Sequence, residues 1–149
     1  QPMTVAQRTP TTILGLEVEA FPIEHSIRCP AVGYRIQINQ KLIFYAPDVA
    51  YIPERNVAFA GIGIYIGDAA SITRSMVRRR GQAIFGHAAI RTQLTWCEKE
   101  KVPRAIFTHC GSEVVEADEE AVQDKINALA AERGVQAQIA CDGMEVSLA

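Results

Sequence analysis

Val32-Gly33-Tyr34-Arg35-Ile36-Gln37-Ile38-Asn39 places apolar and polar side chains in alternation, and Lys41-Leu42-Ile43-Phe44-Tyr45 resumes an apolar run directly after Asn39-Gln40. Alternation suits a strand with one face buried, and two such runs joined by a tight polar turn read as an antiparallel hairpin. A hairpin excludes a purely parallel sheet. Upstream, Ile13 to Phe21 alternates in the same way and predicts another strand. Downstream, Ile62 to Ile66 is a short apolar run of the buried-strand type, and Arg104 to Thr108 is a second. Between them Ile90, Leu94 and Cys97 recur at helical spacing within His87 to Glu100, with Pro103 marking the exit. Glu119 to Arg133 sets Val122, Ile126, Leu129 and Ala130 on one helical face and stops at Gly134. Gln136 to Ala140 and Met144 to Leu148 predict two final strands around an Asp142-Gly143 turn.

The resulting order, β-β-β-β-α-β-α-β-β, carries no repeat or linker and predicts one domain over residues 1–149. The expected class is α/β in the α+β layered sense, a mixed sheet with helices on one face. The other face of such a half-sandwich would be apolar and in need of a partner. Apolar residues at 48% and charged residues at 21% are ordinary for a globular domain, and the net charge of −2 gives no general attraction to nucleic acid or membrane. Arg74 with Arg78-Arg79-Arg80 is the one concentrated basic segment. Cys29, Cys97, Cys110 and Cys141 show neither CxxC spacing nor disulfide-scaffold density, so reduced thiols and a cytoplasmic location are expected. No apolar stretch reaches the ~20 residues of a membrane helix. The chain starts at Gln1 without an initiator Met, which predicts a piece of a longer protein.

The chemistry-bearing residues cluster at strand ends. His25, His87 and His109 follow or adjoin apolar segments, and Asp48 ends the run Leu42 to Pro47. Imidazole and carboxylate at such positions are ligands that a zinc-type site recruits. With no His-x-His or His-x-x-x-His pair, any metal site must be assembled from distant points of the chain.

His25-Ser-Ile-Arg-Cys-Pro-Ala-Val-Gly-Tyr-Arg-Ile36, Leu42 to Asp48, Tyr65-Ile66-Gly67-Asp68, Gly86-His87-Ala88-Ala89-Ile90 and Phe107-Thr108-His109 follow one another in the order of five landmarks of the metallo-β-lactamase superfamily. The stretch resembles in particular the ribonuclease Z and phosphodiesterase branches. The family's defining His-x-His-x-Asp-His motif is absent from this sequence, so the resemblance is to the C-terminal half of an αββα sandwich. It implies that His25 and His109 each contact one of two divalent ions, zinc or manganese, and that Asp48 bridges them. It implies also that His87 donates a proton to the leaving group. One histidine per ion plus a shared carboxylate falls short of the three or four protein ligands of a stable zinc site. This chain alone is therefore expected to bind metal weakly or not at all, and to be inactive. The intact parent is expected to be a phosphodiesterase or nuclease in which hydroxide held by the ions attacks phosphorus, with a phosphate-containing small molecule or RNA as substrate.

Several residues admit two readings. Asp68 either orients a histidine, as carboxylates near metal ligands do, or caps a helix through Ser71 to Arg80. Arg74 and Arg78 either grip substrate phosphate or are solvated and paired with acids such as Glu98 and Glu100. Cys110 is a conceivable soft ligand, or a buried thiol. Two other functional classes remain open: an assembly module whose bare sheet face pairs with a second copy or with the N-terminal half, and a thioester or lactam hydrolase.

Overall fold

The hairpin read from residues 32–45 forms the middle of a seven-stranded mixed sheet. The computed structural model describes residues 4–148. Its strands are β1 (Thr11–Ile13), β2 (Leu16–Ile23), β3 (Ala31–Ile38), β4 (Lys41–Tyr45), β5 (Ile64–Asp68), β6 (Arg78–Arg80), β7 (Ala83–Phe85), β8 (Arg104–Thr108) and β9 (Gln136–Ile139). Four helices join them: α1 (Arg55–Ala58), α2 (Ile90–Glu100), α3 (Ser112–Val115) and α4 (Glu119–Ala131). The sheet order is β1-β2-β3-β4-β5-β8-β9, while β6 and β7 make a separate two-stranded ribbon. β1 to β4 pair antiparallel, and β4, β5, β8 and β9 pair parallel, each parallel link being made through a helical crossover.

All helices feed one core. Phe21, Phe44, Tyr65 and Phe107 point from the sheet toward Phe59, Leu94, Trp96 and Cys97 and toward Val122, Ile126 and Ala130 of α4. Aromatic rings pack along this layer, with Phe21–Phe44 edge to face at 5.7 Å and Phe59–Tyr65 tilted by 43° at 4.9 Å between centroids. β5 is buried on both faces, which is why its sequence is a continuous apolar run. On the opposite face, Ile43, Ile64 and Ile106 are covered by Met144, Val146 and Leu148. Leu16 and Tyr45, on that same face by register, remain 37% and 39% exposed. Among the described residues, no helix is long and apolar enough to cross a membrane.

Four sequence expectations change. The strand expected over 13–21 is broken by a two-residue turn at Leu14-Gly15, so that Ile13 pairs with Leu16. Residues 71–80 form no helix; they run as a bent strap into β6, because the Ser71 hydroxyl donates to the Arg74 carbonyl and takes the chain out of helical register. Asp68 therefore caps nothing there. The final hairpin does not form either: β9 pairs parallel with β8 and, among the described residues, no second strand joins its other side. Residues 144–148 alternate like a strand yet lie against the sheet face instead of joining its edge. The periodicity correctly marked one buried side; it could not say whether ladder or face would be the partner.

Candidate metal centre

Strand direction builds the site. β2, β4, β5 and β8 all run the same way across the sheet, since β2 and β4 are each antiparallel to β3 and the rest are parallel. Their C-terminal ends therefore emerge along one edge, where His25, Asp48, Asp68 and His109 follow or end them. His87 is brought to that edge by its neighbours: Gly86 N–H donates to the His25 carbonyl at 2.8 Å and Ala88 N–H to the Val49 carbonyl at 2.7 Å. His109 has a left-handed backbone (φ 59°), a conformation rare in non-glycine residues and concentrated at functional sites.

The side chains converge. Ligand atoms of Asp48, Asp68, His87 and His109 all lie within 4.8 Å of one another, a group able to hold a divalent ion. His87 Nδ1 is 2.8 Å from Asp68 Oδ2 and 3.2 Å from Asp48 Oδ1, and His109 Nδ1 is 3.8 Å from Asp68 Oδ1. His25 stands beside the group: its Nδ1 is 2.8 Å from Asp48 Oδ1 and its ring centroid 5.2 Å from that of His87. His87 and His109 stack at 5.5 Å with their planes 21° apart.

The two carboxylates differ. Asp68 is fully buried, and its oxygens accept from Val49 N–H (3.0 Å), Ala70 N–H (2.7 Å) and His87 Nδ1–H (2.8 Å). A carboxylate only accepts, so His87 carries its proton on Nδ1 and leaves Nε2 with a lone pair. Gln93, also fully buried, locks Asp68 from behind. Its Oε1 accepts from the Asp68 N–H (2.9 Å) and the Tyr65 hydroxyl (2.7 Å), and its Nε2 donates to the carbonyls of Asp68 (2.7 Å) and Ala88 (2.8 Å). Asp48 Oδ1 is the opposite case. It is buried and makes no hydrogen bond, although two imidazole nitrogens approach it within 3.2 Å. The His25 Nδ1 proton is directed instead to the Gly86 carbonyl at 3.2 Å. An unpaired buried carboxylate oxygen among imidazoles is costly alone and suits a cation, so these residues fit a divalent ion.

Each residue singled out in the sequence has a definite place. His25, Asp48, His87 and His109, from four distant segments, meet at one edge with Asp68 among them. Arg74 and Arg78 stand apart, in an adjacent cleft lined also by Ala70, Ser112 and Glu113. Glu100 is engaged by Arg55 at 3.3 Å. The Cys110 thiol is half-buried, and burial raises its pKa, with the Asp68 charge adding to the effect; it is outside the converging group. Gln93 is the residue that sequence reading missed. Its signal was a polar side chain three residues after Ile90, on the helix face that Leu94 and Cys97 bury.

The fold agrees with the comparisons. The model of the beta-lactamase superfamily domain matches residues 1–110. No curated protein matches the sequence. The metallo-beta-lactamase fold protein YhfI from Bacillus subtilis superposes with a TM-score of 0.73 at 12% identity, over 95% of this chain and 52% of that one. The metallo hydrolase Igni18 from Ignicoccus hospitalis gives 0.66 at 13% identity, over 97% of this chain and 59% of its own. The isothiocyanate hydrolase from Delia radicum gut bacteria gives 0.67 at 12%, over 97% and 59%. The chain thus spans little more than half the length of these structures. With the family model covering most of its residues and the fold shared over nearly all of them, the chain belongs to the metallo-β-lactamase superfamily.

Proposed function

We propose that the chain contributes one side of the two-ion centre of a phosphoester hydrolase of the ribonuclease Z and phosphodiesterase type. The observation that carries this reading is Asp48 Oδ1, a buried carboxylate oxygen without a hydrogen bond between two imidazoles. In this reading Asp48 is the shared ligand, and His25 and His109 each serve one ion, zinc or manganese. The remaining ligands come from the part of the fold that the structural relatives possess and this chain does not span. That part also covers the apolar row of Leu16 and Tyr45 on the open sheet face, so the chain by itself binds metal weakly.

Bound ions would supply Lewis acidity and a water of lowered pKa. The chain's own residues do the rest. The Gly86 carbonyl holds the His25 Nδ1 proton and leaves Nε2 free as a ligand. Asp68 holds the Nδ1 proton of His87, so that His87 Nε2 can carry a proton to the departing alkoxide. The buried Asp68 carboxylate fixes the ring's orientation through that bond. This is the role of a positioning carboxylate, with Gln93 fixing it in turn.

The test is calorimetric titration of the intact protein with Zn²⁺ or Mn²⁺, paired with an assay of bis(p-nitrophenyl) phosphate hydrolysis. Asp48→Asn should abolish tight metal binding and activity together. His87→Ala should retain the metal and lose ~10²-fold in kcat. Metal binding that survives Asp48→Asn, or tight binding of two ions by the 149-residue chain alone, would overturn the reading.

A further inference from the structure

The strap between Asp68 and His87 has a rigid backbone and unengaged cationic side chains. Ala69 N–H donates to the Thr108 carbonyl (2.7 Å), Gly111 N–H to the Ala69 carbonyl (3.1 Å) and Met76 N–H to the His87 carbonyl (2.8 Å). The Ser75 hydroxyl accepts from Ala89 N–H (3.0 Å) at the start of α2, and Glu113 accepts from Ile72 N–H (3.0 Å). Two glycines permit this close approach: a Cβ on Gly86 would collide with the Met76 carbonyl, and one on Gly111 with the Ala70 carbonyl. The strap is thereby tied to the segments that carry Asp68, His87 and His109.

Its side chains face a cleft of about 510 Å³ lined by Ser71, Arg74, Ser75, Arg78, Ser112 and Glu113 among others. Arg74, Arg78, Arg79 and Arg80 are exposed and, among the described residues, none has a carboxylate partner. Glu100 pairs with Arg55, and Glu113, the acidic residue on the cleft wall, pairs with Lys125 at 3.4 Å besides holding Ile72. Four unpaired guanidiniums within residues 74–80 of a chain whose net charge is −2 concentrate positive potential at one place, beside the metal centre. A fixed backbone lowers the entropy that anion capture would cost.

We propose that this cleft binds a second phosphate group of the substrate, with Arg74 and Arg78 as the guanidinium donors and the Ser112 hydroxyl beside them. The inference rests on the hydrolase reading for the reaction but not for the anion binding. Guanidinium suits it because its fork meets two phosphate oxygens at once. The substrate class is then a phosphodiester bearing a further phosphate outside the scissile bond, in a nucleotide strand or a small bisphosphate.

Two measurements on the intact protein decide it. The first compares kcat/KM for the p-nitrophenyl ester of thymidine 5′-monophosphate with and without a further phosphate on the 3′-oxygen. Arg74→Gln/Arg78→Gln should lower the preference for the doubly phosphorylated ester about tenfold, mainly through KM, and the Lys variants should restore part of it. Equal losses on both esters, or none, overturn the proposal. The second titrates the chelator-treated protein with inorganic phosphate. Binding that weakens about tenfold in the double variant supports the proposal even if neither ester is cleaved, an outcome that sinks only the hydrolase reading. No phosphate binding by the unaltered protein overturns the subsite whatever the activity. A third ester, a longer thymidine oligonucleotide, separates the sources: a further drop in KM with length assigns a nucleic-acid strand, and a constant KM assigns a small bisphosphate.

Discussion

Asp68, the last residue of β5, and Asp48, three residues past the end of its parallel neighbour β4, share a histidine, yet the protein treats them oppositely. Asp68 has no exposed surface and spends its oxygens on Val49, Ala70 and His87, while Gln93 grips its backbone from behind. Asp48 is 39% exposed and keeps one buried oxygen unbonded beside two imidazoles. A buried carboxylate is tolerated when every acceptor position is used. One left short is tolerated only where something else completes it. The contrast separates a carboxylate that builds the scaffold from one whose buried oxygen the scaffold leaves unbonded.

The comparison breaks most visibly in stability. Asp68→Ala leaves two backbone donors and a histidine without their partner inside the protein, and should cost about 3–5 kcal/mol by urea denaturation. Asp48→Ala should cost less than about 1 kcal/mol without metal, because it removes an unsatisfied oxygen and no hydrogen bond. Equal destabilisation by the two would erase the distinction. Metal affinity should reverse the ranking. Asp48→Asn is expected to weaken Zn²⁺ binding by about a hundredfold or more, whereas Gln93→Leu, acting through Asp68 and His87, should weaken it about tenfold. Gln93→Leu should also cost about 2–3 kcal/mol in stability, since the Asp68 N–H, Asp68 carbonyl and Tyr65 hydroxyl lose their partner. A larger metal defect in Gln93→Leu than in Asp48→Asn would assign the ion to the Asp68 side.

How far the sequence disclosed this difference depends on what kind of information each feature needs. The β3–β4 hairpin, β5, β8, α2 and α4 were legible because each buries one face or both, and periodicity reports burial. The placement of His25, Asp48, His87 and His109 was legible through the order of short motifs, each just past an apolar run. The strap over residues 71–78 was not legible, because hydroxyl-to-backbone bonds at Ser71 and Ser75 fixed it, and these leave no period. The inequality of the two aspartates was hidden too. Both stand at or just past strand ends; what distinguishes them is the pair of backbone donors from Val49 and Ala70 at the Asp68 carboxylate and the arrival of Gln93 from α2, 25 residues on, at its backbone.

The same contrast extends into titration, with the smallest effect. Beneath Asp68 the core is fully buried, with Tyr65 and Cys97 both shielded from solvent. Burial holds the Tyr65 hydroxyl well above its usual range, with Cys97 and Asp68 adding to it, and burial pushes the Cys97 thiol up to about 12. Both groups stay protonated in the folded protein after the unfolded chain has begun to release its protons. The thiol's contribution to stability is therefore complete below about pH 9, the value for an exposed thiol, and is lost as pH rises toward about 12; the phenol's is complete below about pH 10 and is lost above it. Each such group can steepen the decline by at most about 1.4 kcal/mol per pH unit. Urea midpoints at pH 8 and pH 10.5 should show the fall, and Cys97→Ala, though less stable at pH 8, should fall less steeply between them. The thiols provide the matching probe at pH 8: Cys29 and Cys141, both exposed, should react with a disulfide reagent at once, whereas Cys97 should react only on unfolding. Rapid modification of Cys97 in the native protein would mean that the layer behind Asp68 opens to water, and the carboxylate would then be no more a part of the scaffold than Asp48.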